Sequence, residues 1–238
     1  MLFTLREMSL TLRWVATLTL LVLSAGYAVA LLNLYYTYSM MDGQPGLTPE
    51  DLKRAFYGNR TVTRLAAKID GGSMAQYLPN PFDKAKILNW LQDGASRVSF
   101  SRAVQPILME NCWRCHNPRG FMSMRPLQTY EQVLDVAQVD RGEPVPVWAR
   151  VAHTHLQSIG LIFFVVGIIF AGASLPERVK AAIVITPFAG LVVDFGSRFL
   201  ARYSVNFVYS MMAAGAVAGL TFAAMVLASL YEMWLAPR

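Results

Sequence analysis

Residues 156–175 read LQSIGLIFFVVGIIFAGASL, a stretch with no charged side chain. A helix needs about 20 such residues to cross the hydrocarbon core of a bilayer. Three further runs have the same character. Residues 14–35 carry no charge, residues 181–201 are apolar until Asp194 and Arg198, and residues 205–231 are apolar throughout. In lipid each run must be helical, because a helix is the one single-segment structure that satisfies its own backbone hydrogen bonds. The whole chain agrees with this reading. Of its 238 residues 55% are apolar and 15% charged, too apolar for an ordinary soluble domain.

Between the first and second runs the character changes. Residues 41–150 hold eleven of the fifteen acidic residues and fourteen of the twenty-one basic ones, which marks a segment meant for water. The expected organisation is all-α: a transmembrane anchor over 1–40, a small helical domain over 41–150 inserted between membrane helices 1 and 2, and a three-helix transmembrane bundle over 151–238. The net charge of +6 comes from residues that form no tract or stripe. They read as membrane flanks, and nucleic acid is not an expected partner. Ala28-Val29-Ala30 resembles a signal-peptide cleavage site, but the apolar core is longer than a signal's. Tyr35-Tyr36 looks like an interfacial belt, so the first run is expected to be a retained span.

Flanking charge sets the expected orientation. Arg6, Arg13, Arg178, Lys180 and Arg238 fall on one side, and Arg198 and Arg202 on the other. The positive-inside rule puts both termini in the cytoplasm and the 41–150 domain on the extracytoplasmic side. The expected location is a bacterial cytoplasmic membrane.

The chain has two cysteines, both in Cys112-Trp113-Arg114-Cys115-His116. C-x-x-C-H is the attachment signal for c-type haem, with two thioether sulfurs and an adjacent imidazole for the iron. A thioredoxin-like redox pair would need a βαβ context. A zinc site would need His153 and His155 to complete four ligands. A disulfide is the simplest alternative. The expected extracytoplasmic location favours one covalent haem c held by Cys112, Cys115 and His116.

The surroundings resemble a known family. Phe100-Ser101-Arg102-Ala103-Val104-Gln105-Pro106-Ile107-Leu108 ahead of Cys112 is similar to the first helix of class I-like bacterial cytochromes c. Met124-Arg125-Pro126-Leu127-Gln128-Thr129-Tyr130-Glu131 resembles the segment that follows their haem motif. In that family a distal methionine and a closing W-[IL]-x-x-G-A helix come next. Here both stand upstream, as Gly71-Gly72-Ser73-Met74 and then Trp90-Leu91-Gln92-Asp93-Gly94-Ala95. The resemblance, over about 47–140, is to a cytochrome c domain in permuted order. With the His-x-His membrane helix behind it, the chain resembles bacterial membrane-anchored c-type cytochromes. It implies Met74 as the sixth iron ligand.

His153 and His155 are the alternative sixth ligands. They stand about 200° apart on a helix, so both cannot serve one iron from it. His153 shares a row with Gly160, Gly167 and Ser174, the expected packing seam. Asp194, Arg198 and Arg202 form one stripe, read either as an i,i+4 ion pair or as contacts to haem propionates or headgroups. Pro187 is expected to kink its helix, and Gly215-x-x-x-Gly219 to be a close packing face.

The expected function is single-electron transfer as a subunit of a respiratory or photosynthetic complex. Its expected partners are other membrane subunits and a soluble or membrane redox protein. The alternatives are a quinol-oxidising component of a cytochrome c reductase and a haem-based sensor or structural accessory. No nucleophile motif, phosphate loop or metal cluster marks the chain as an enzyme in its own right.

Overall fold

The computed structural model describes residues 4–237. Its ten α-helices are α1 (Leu10–Tyr38), α2 (Pro49–Phe56), α3 (Arg64–Ile69), α4 (Pro81–Gln92), α5 (Arg97–Ser99), α6 (Gln105–Asn111), α7 (Tyr130–Val136), α8 (Val145–Ala171), α9 (Glu177–Leu200) and α10 (Asn206–Trp234). Among the described residues there is no strand, only an isolated bridge between Thr63 and Val139. The fold is all-α. Four of the helices, α1, α8, α9 and α10, are long and apolar enough to span a bilayer. The chain divides into two compact units, one of α1 with everything from Glu143 onward, the other Tyr38–Gly142.

The membrane unit is built around α8, α9 and α10. Lipid is as apolar as leucine, so close backbone approach and polar contacts bind these helices together. A Cβ on Gly190 of α9 would meet the Ala214 carbonyl at 3.1 Å and the Ala218 Cβ at 3.2 Å. Ser197 donates to Ser210 across the same seam at 3.1 Å. Phe163, Phe188 and Phe222 join the three helices in one ring cluster. Pro187 lies inside α9, which continues as one helix on both sides of it.

The packing row of α8 differs from the small-residue row expected. Buried or half-buried Trp148, Ala152, Ile159, Phe163, Val166 and Phe170 face the bundle. Of the expected row, Gly167 meets Val184 at 3.4 Å, Gly160 has open space beside it, and His153 is exposed. Large side chains filling grooves settle this interface. The Gly215/Gly219 pair is also only half used. Gly219 receives the Tyr27 hydroxyl of α1, while a Cβ on Gly215 would meet nothing.

Helix α1 touches the bundle from its start as far as Tyr27. Trp14 packs on Trp234 at 5.1 Å between ring centroids, Trp234 donates to Thr17 at 2.9 Å, and Tyr27 packs on Phe222. Every residue from Ala25 to Thr37 is exposed. The end of the unit where α1 begins is strapped together. The Leu5 amide donates to the Gly172 carbonyl at 2.9 Å, and the Ser174 amide to Glu232 at 2.8 Å. Buried Lys180 reaches the Ala171 carbonyl at 2.9 Å. Arg6, Lys180 and the α8–α9 turn therefore share one end; Arg238 lies outside the described residues.

The second unit is a small helical body with capped elements. Thr48 and Asp51 form a reciprocal capping box on α2, and the fully buried Asp51 carboxylate also accepts the Asp42 amide. Such acceptance satisfies a charge that would otherwise be costly to bury. Helix α4 ends in a Schellman motif. Ala95 donates to the Trp90 carbonyl and Gly94 to that of Leu91, with Gly94 at φ +84°. Residues 97–111 then form one continuous helical rod with a wide π turn over Phe100–Val104. Pro106 has no N–H to give and its ring clashes with the carbonyl one turn back. Gln105 instead bonds five residues back, to Phe100. Trp90, Phe100 and Tyr130 stack in sequence at 5.7 and 5.6 Å. Tyr130 closes the cluster with a hydroxyl bond to the Ala95 carbonyl at 2.9 Å. Three of the four segments that carry the family resemblance, those of Trp90, Phe100 and Tyr130, thus pack on one another.

Candidate functional site

Helix α6 delivers Cys112 as its C-cap. The chain then turns tightly, with the Cys115 and His116 amides both donating to the Cys112 carbonyl at 3.1 and 2.9 Å. This places both thiols and the imidazole on a single turn. The thiols are free, with no disulfide between them. Burial, reinforced by the neighbouring Cys115, pushes the Cys112 thiol up to about 11.

His116 is held from behind. Its Nδ1 lies 2.8 Å from the Arg125 carbonyl oxygen. A carbonyl can only accept, so Nδ1 carries the proton and Nε2 keeps a lone pair for a metal. The return segment is fixed by two more bonds. Leu127 donates its amide to the His116 carbonyl at 3.0 Å, and the Trp113 indole donates to the Leu127 carbonyl at 2.8 Å. Pro126 separates the two acceptor carbonyls and stiffens this strap.

Met74 begins a 3-10 turn at Ala75–Tyr77, its amide bonded to the Lys68 carbonyl at 2.9 Å. Met74, Cys112 and Trp113 all lie at the margin of the one apolar cluster that contains Trp90, Phe100 and Leu127. Beside the motif, Phe121 is 93% exposed, and Met109 and Met124 are also exposed. His153 and His155 belong to the membrane unit, and His155 gives its own Nδ1 proton to the Val151 carbonyl at 2.9 Å.

Arg198 of α9 and Arg202 just beyond its end both turn donors to Glu143. Arg198 directs Nε and Nη2 at the two carboxylate oxygens of Glu143, at 2.7 and 2.5 Å. Arg202 gives Nη2 to the Glu143 main-chain carbonyl at 2.7 Å. Two members of that stripe, Arg198 and Arg202, also anchor the segment that enters α8. Sequence reading missed Glu143, whose only local signal is an acid just ahead of an apolar helix. It also missed the Arg125 carbonyl, a main-chain group that no residue pattern displays. Among the described residues no group of three or more His, Cys, Asp or Glu side chains gathers into a metal cluster.

A family model described as a transmembrane helical domain, Aq_1264_TM, matches residues 145–238, the span of α8, α9 and α10. No curated protein matches the chain, and no solved structure does. With four membrane-length helices and this match, the protein is a multi-pass membrane protein.

Proposed function

We propose that the chain is a membrane-bound c-type cytochrome with one covalent haem, carrying single electrons as a subunit of a respiratory or photosynthetic complex. The observation that carries this reading is the His116–Arg125 hydrogen bond, in a turn that also presents two unpaired thiols. The residues fit such a group. Cys112 and Cys115 would supply the thioether sulfurs and His116 Nε2 the proximal iron ligand. The exposed Phe121 and Met124 are apolar surface of the kind a macrocycle edge covers. When bound, the haem iron supplies one-electron chemistry by cycling between ferric and ferrous.

The chain's own residues hold and tune the site. The Arg125 carbonyl orients the His116 ring and fixes its tautomer. Trp113 pins the return segment over the motif. Met74, in the same unit and on the same apolar cluster, is the sixth ligand in this reading, ahead of His153 and His155 in the other unit. Charge flanks support a unit 38–142 outside the cytoplasm of a bacterium, with both termini inside. A four-helix anchor exceeds what attachment of one small domain needs, which supports packing against other membrane subunits.

A pyridine haemochrome spectrum on solvent-extracted protein tests the proposal. One c-type signal per chain, lost in Cys112→Ala/Cys115→Ala, is the expected result. Absence of covalent haem from protein matured in a haem-attaching host would overturn it.

A further inference from the structure

Helix α1 leans on α10 through Trp14, Thr17 and Tyr27. Ahead of its first turn, the Leu5 amide ties the chain to the Gly172 carbonyl at the end of α8. Beneath that tie α1 and α8 stand apart and leave a cleft of about 710 Å³. Its walls include Val15 and Ala16 of α1 and Val165, Ile168 and Ile169 of α8. Val15 and Ile168 are 57% and 48% exposed, so the cleft opens sideways between the helices. Both helices are long and apolar enough to span a bilayer, so what surrounds the opening is lipid. The lining runs from Ser9, just ahead of α1, to Thr19, about 15 Å of chain at helical rise. Half of a hydrocarbon core of about 30 Å is that same length. The cleft is as deep as one leaflet.

Its mouth is polar. Thr4, Glu7 and Ser9 line it, and the Thr4 hydroxyl donates to one Glu7 carboxylate oxygen at 2.7 Å. Among the described residues Glu7 is the one charged side chain in the lining. The neighbouring arginines turn elsewhere. Arg13 donates to the Met8 and Arg6 carbonyls, and Arg6 to the Pro237 carbonyl, with Glu232 3.9 Å away. A second cleft, between α8 and α9 on the other flank of Ile168, makes the contrast. The acid that lines it, Glu177, is neutralised by the buried Lys180 ammonium at 2.8 Å. The α1–α8 cleft therefore joins apolar walls one leaflet deep to a mouth of net negative charge.

We propose that this cleft binds one phospholipid, its acyl chain between α1 and α8 and its ethanolamine headgroup on Glu7. A primary ammonium carries three N–H donors. The Glu7 carboxylate and the Thr4 and Ser9 hydroxyl oxygens are acceptors at the mouth to meet them. A choline head has no N–H to give, and an anionic head would meet a carboxylate of its own sign. The apolar walls take the chain because lipid is the solvent on that side. The cleft's volume falls within the roughly 300–1,000 Å³ of sites that hold small molecules. The proposal does not depend on the haem reading, since every residue it uses belongs to the membrane unit.

The test is native mass spectrometry of the full chain, delipidated in detergent. Dioleoyl phosphatidylethanolamine, phosphatidylcholine or phosphatidylglycerol is then added back in turn. One phosphatidylethanolamine per chain is expected, retained about fivefold better than either competitor, the upper range for a single exposed charge pair. Glu7→Gln erases that preference and leaves the weaker retention common to all three lipids. Glu177→Gln, at the same end of the unit, leaves the preference intact. Val15→Trp, which fills the cleft from an exposed position, abolishes retention of all three. Phosphatidylethanolamine with a photoreactive acyl chain labels residues 12–19 and 165–169. Equal retention of the three lipids, or a preference that survives Glu7→Gln, would overturn the headgroup site. Label spread over the exposed face of α10 at Leu220 and Leu227 would overturn the cleft. Failure to retain any lipid would overturn both and leave the space to a helix of another subunit. Each variant is checked for native helicity and melting temperature.

Discussion

Arg198 and Glu143, fifty-five positions apart, close a two-pronged ion pair whose side chains are 12% and 10% exposed. Bidentate geometry makes this among the stronger pairings available to a guanidinium. Removing one partner of a buried pair leaves the other charge uncompensated, at a cost of about 3–5 kcal/mol. Glu143→Gln should lower the melting temperature of the detergent-solubilised protein sharply. The double variant Glu143→Gln/Arg198→Met should lose less than the sum of its singles. Additive losses would show that the two residues stabilise the fold independently.

Gly219 and Gly215 should part company on substitution. Alanine gains helix propensity of roughly 0.5–1 kcal/mol at either glycine. At Gly215 nothing opposes that gain, so Gly215→Ala should be neutral or slightly stabilising. At Gly219 the new methyl would fall on the Tyr27 hydroxyl and push α1 from its seat. Gly219→Ala should therefore destabilise, and Tyr27→Phe should relieve most of the loss. Protease accessibility of α1 in the solubilised protein reads both.

The two thiols of the haem-free chain should alkylate differently. Cys115 is exposed, whereas burial raises the Cys112 thiol to about 11. The thiolate is the reacting form. At pH 8 Cys115→Ser should therefore leave a slowly labelled protein and Cys112→Ser a quickly labelled one. The Cys112 rate should keep rising to about pH 11. A thiol raised in the folded state stabilises fully below its unfolded value, near 9, and loses that contribution as pH climbs through about 11. Haem-free protein should weaken across that window, by mass-resolved labelling and thermal melts alike.

Under the proposed function, Met74→Leu should change the potential of the bound haem without removing it. Thioether ligation raises the potential relative to bis-histidine ligation. Loss of Met74 should lower it and abolish the weak sulfur-to-iron charge-transfer band at the red edge. If His153→Leu or His155→Leu produces the larger shift instead, the sixth ligand comes from the membrane unit.

Orientation can be read from reporter fusions. Alkaline phosphatase, active only outside the cytoplasm, should be active when fused after Gly142 and inactive after Pro237. The reverse pattern would place Cys112 where haem attachment does not occur and would remove the basis of the proposed function.

The four spans were legible because length and hydropathy alone define them, yet their ends were not. Helix α8 begins at Val145, well before its charge-free run at Leu156. Arg150 interrupts the apolar run without interrupting the helix, since a long side chain near a membrane end can reach water. The packing seam was misread for a related reason. Small residues mark where backbones could approach, but Trp148, Phe163 and Phe170 decide where they do. Cys112, Cys115 and His116 could be singled out because their spacing is local. The Arg125 carbonyl and the Glu143 anchor depend on main-chain groups or on partners brought together by folding, and those leave no periodic trace.

The strap at the start of α1 carries one more implication. Leu5 holds Gly172, and Glu232, near the last residues, holds Ser174. Leu5, just ahead of α1, and Glu232, near the end of α10, therefore hold the same turn. A substitution or a neighbouring subunit that displaces either Leu5 or Glu232 pulls directly on the link between α8 and α9.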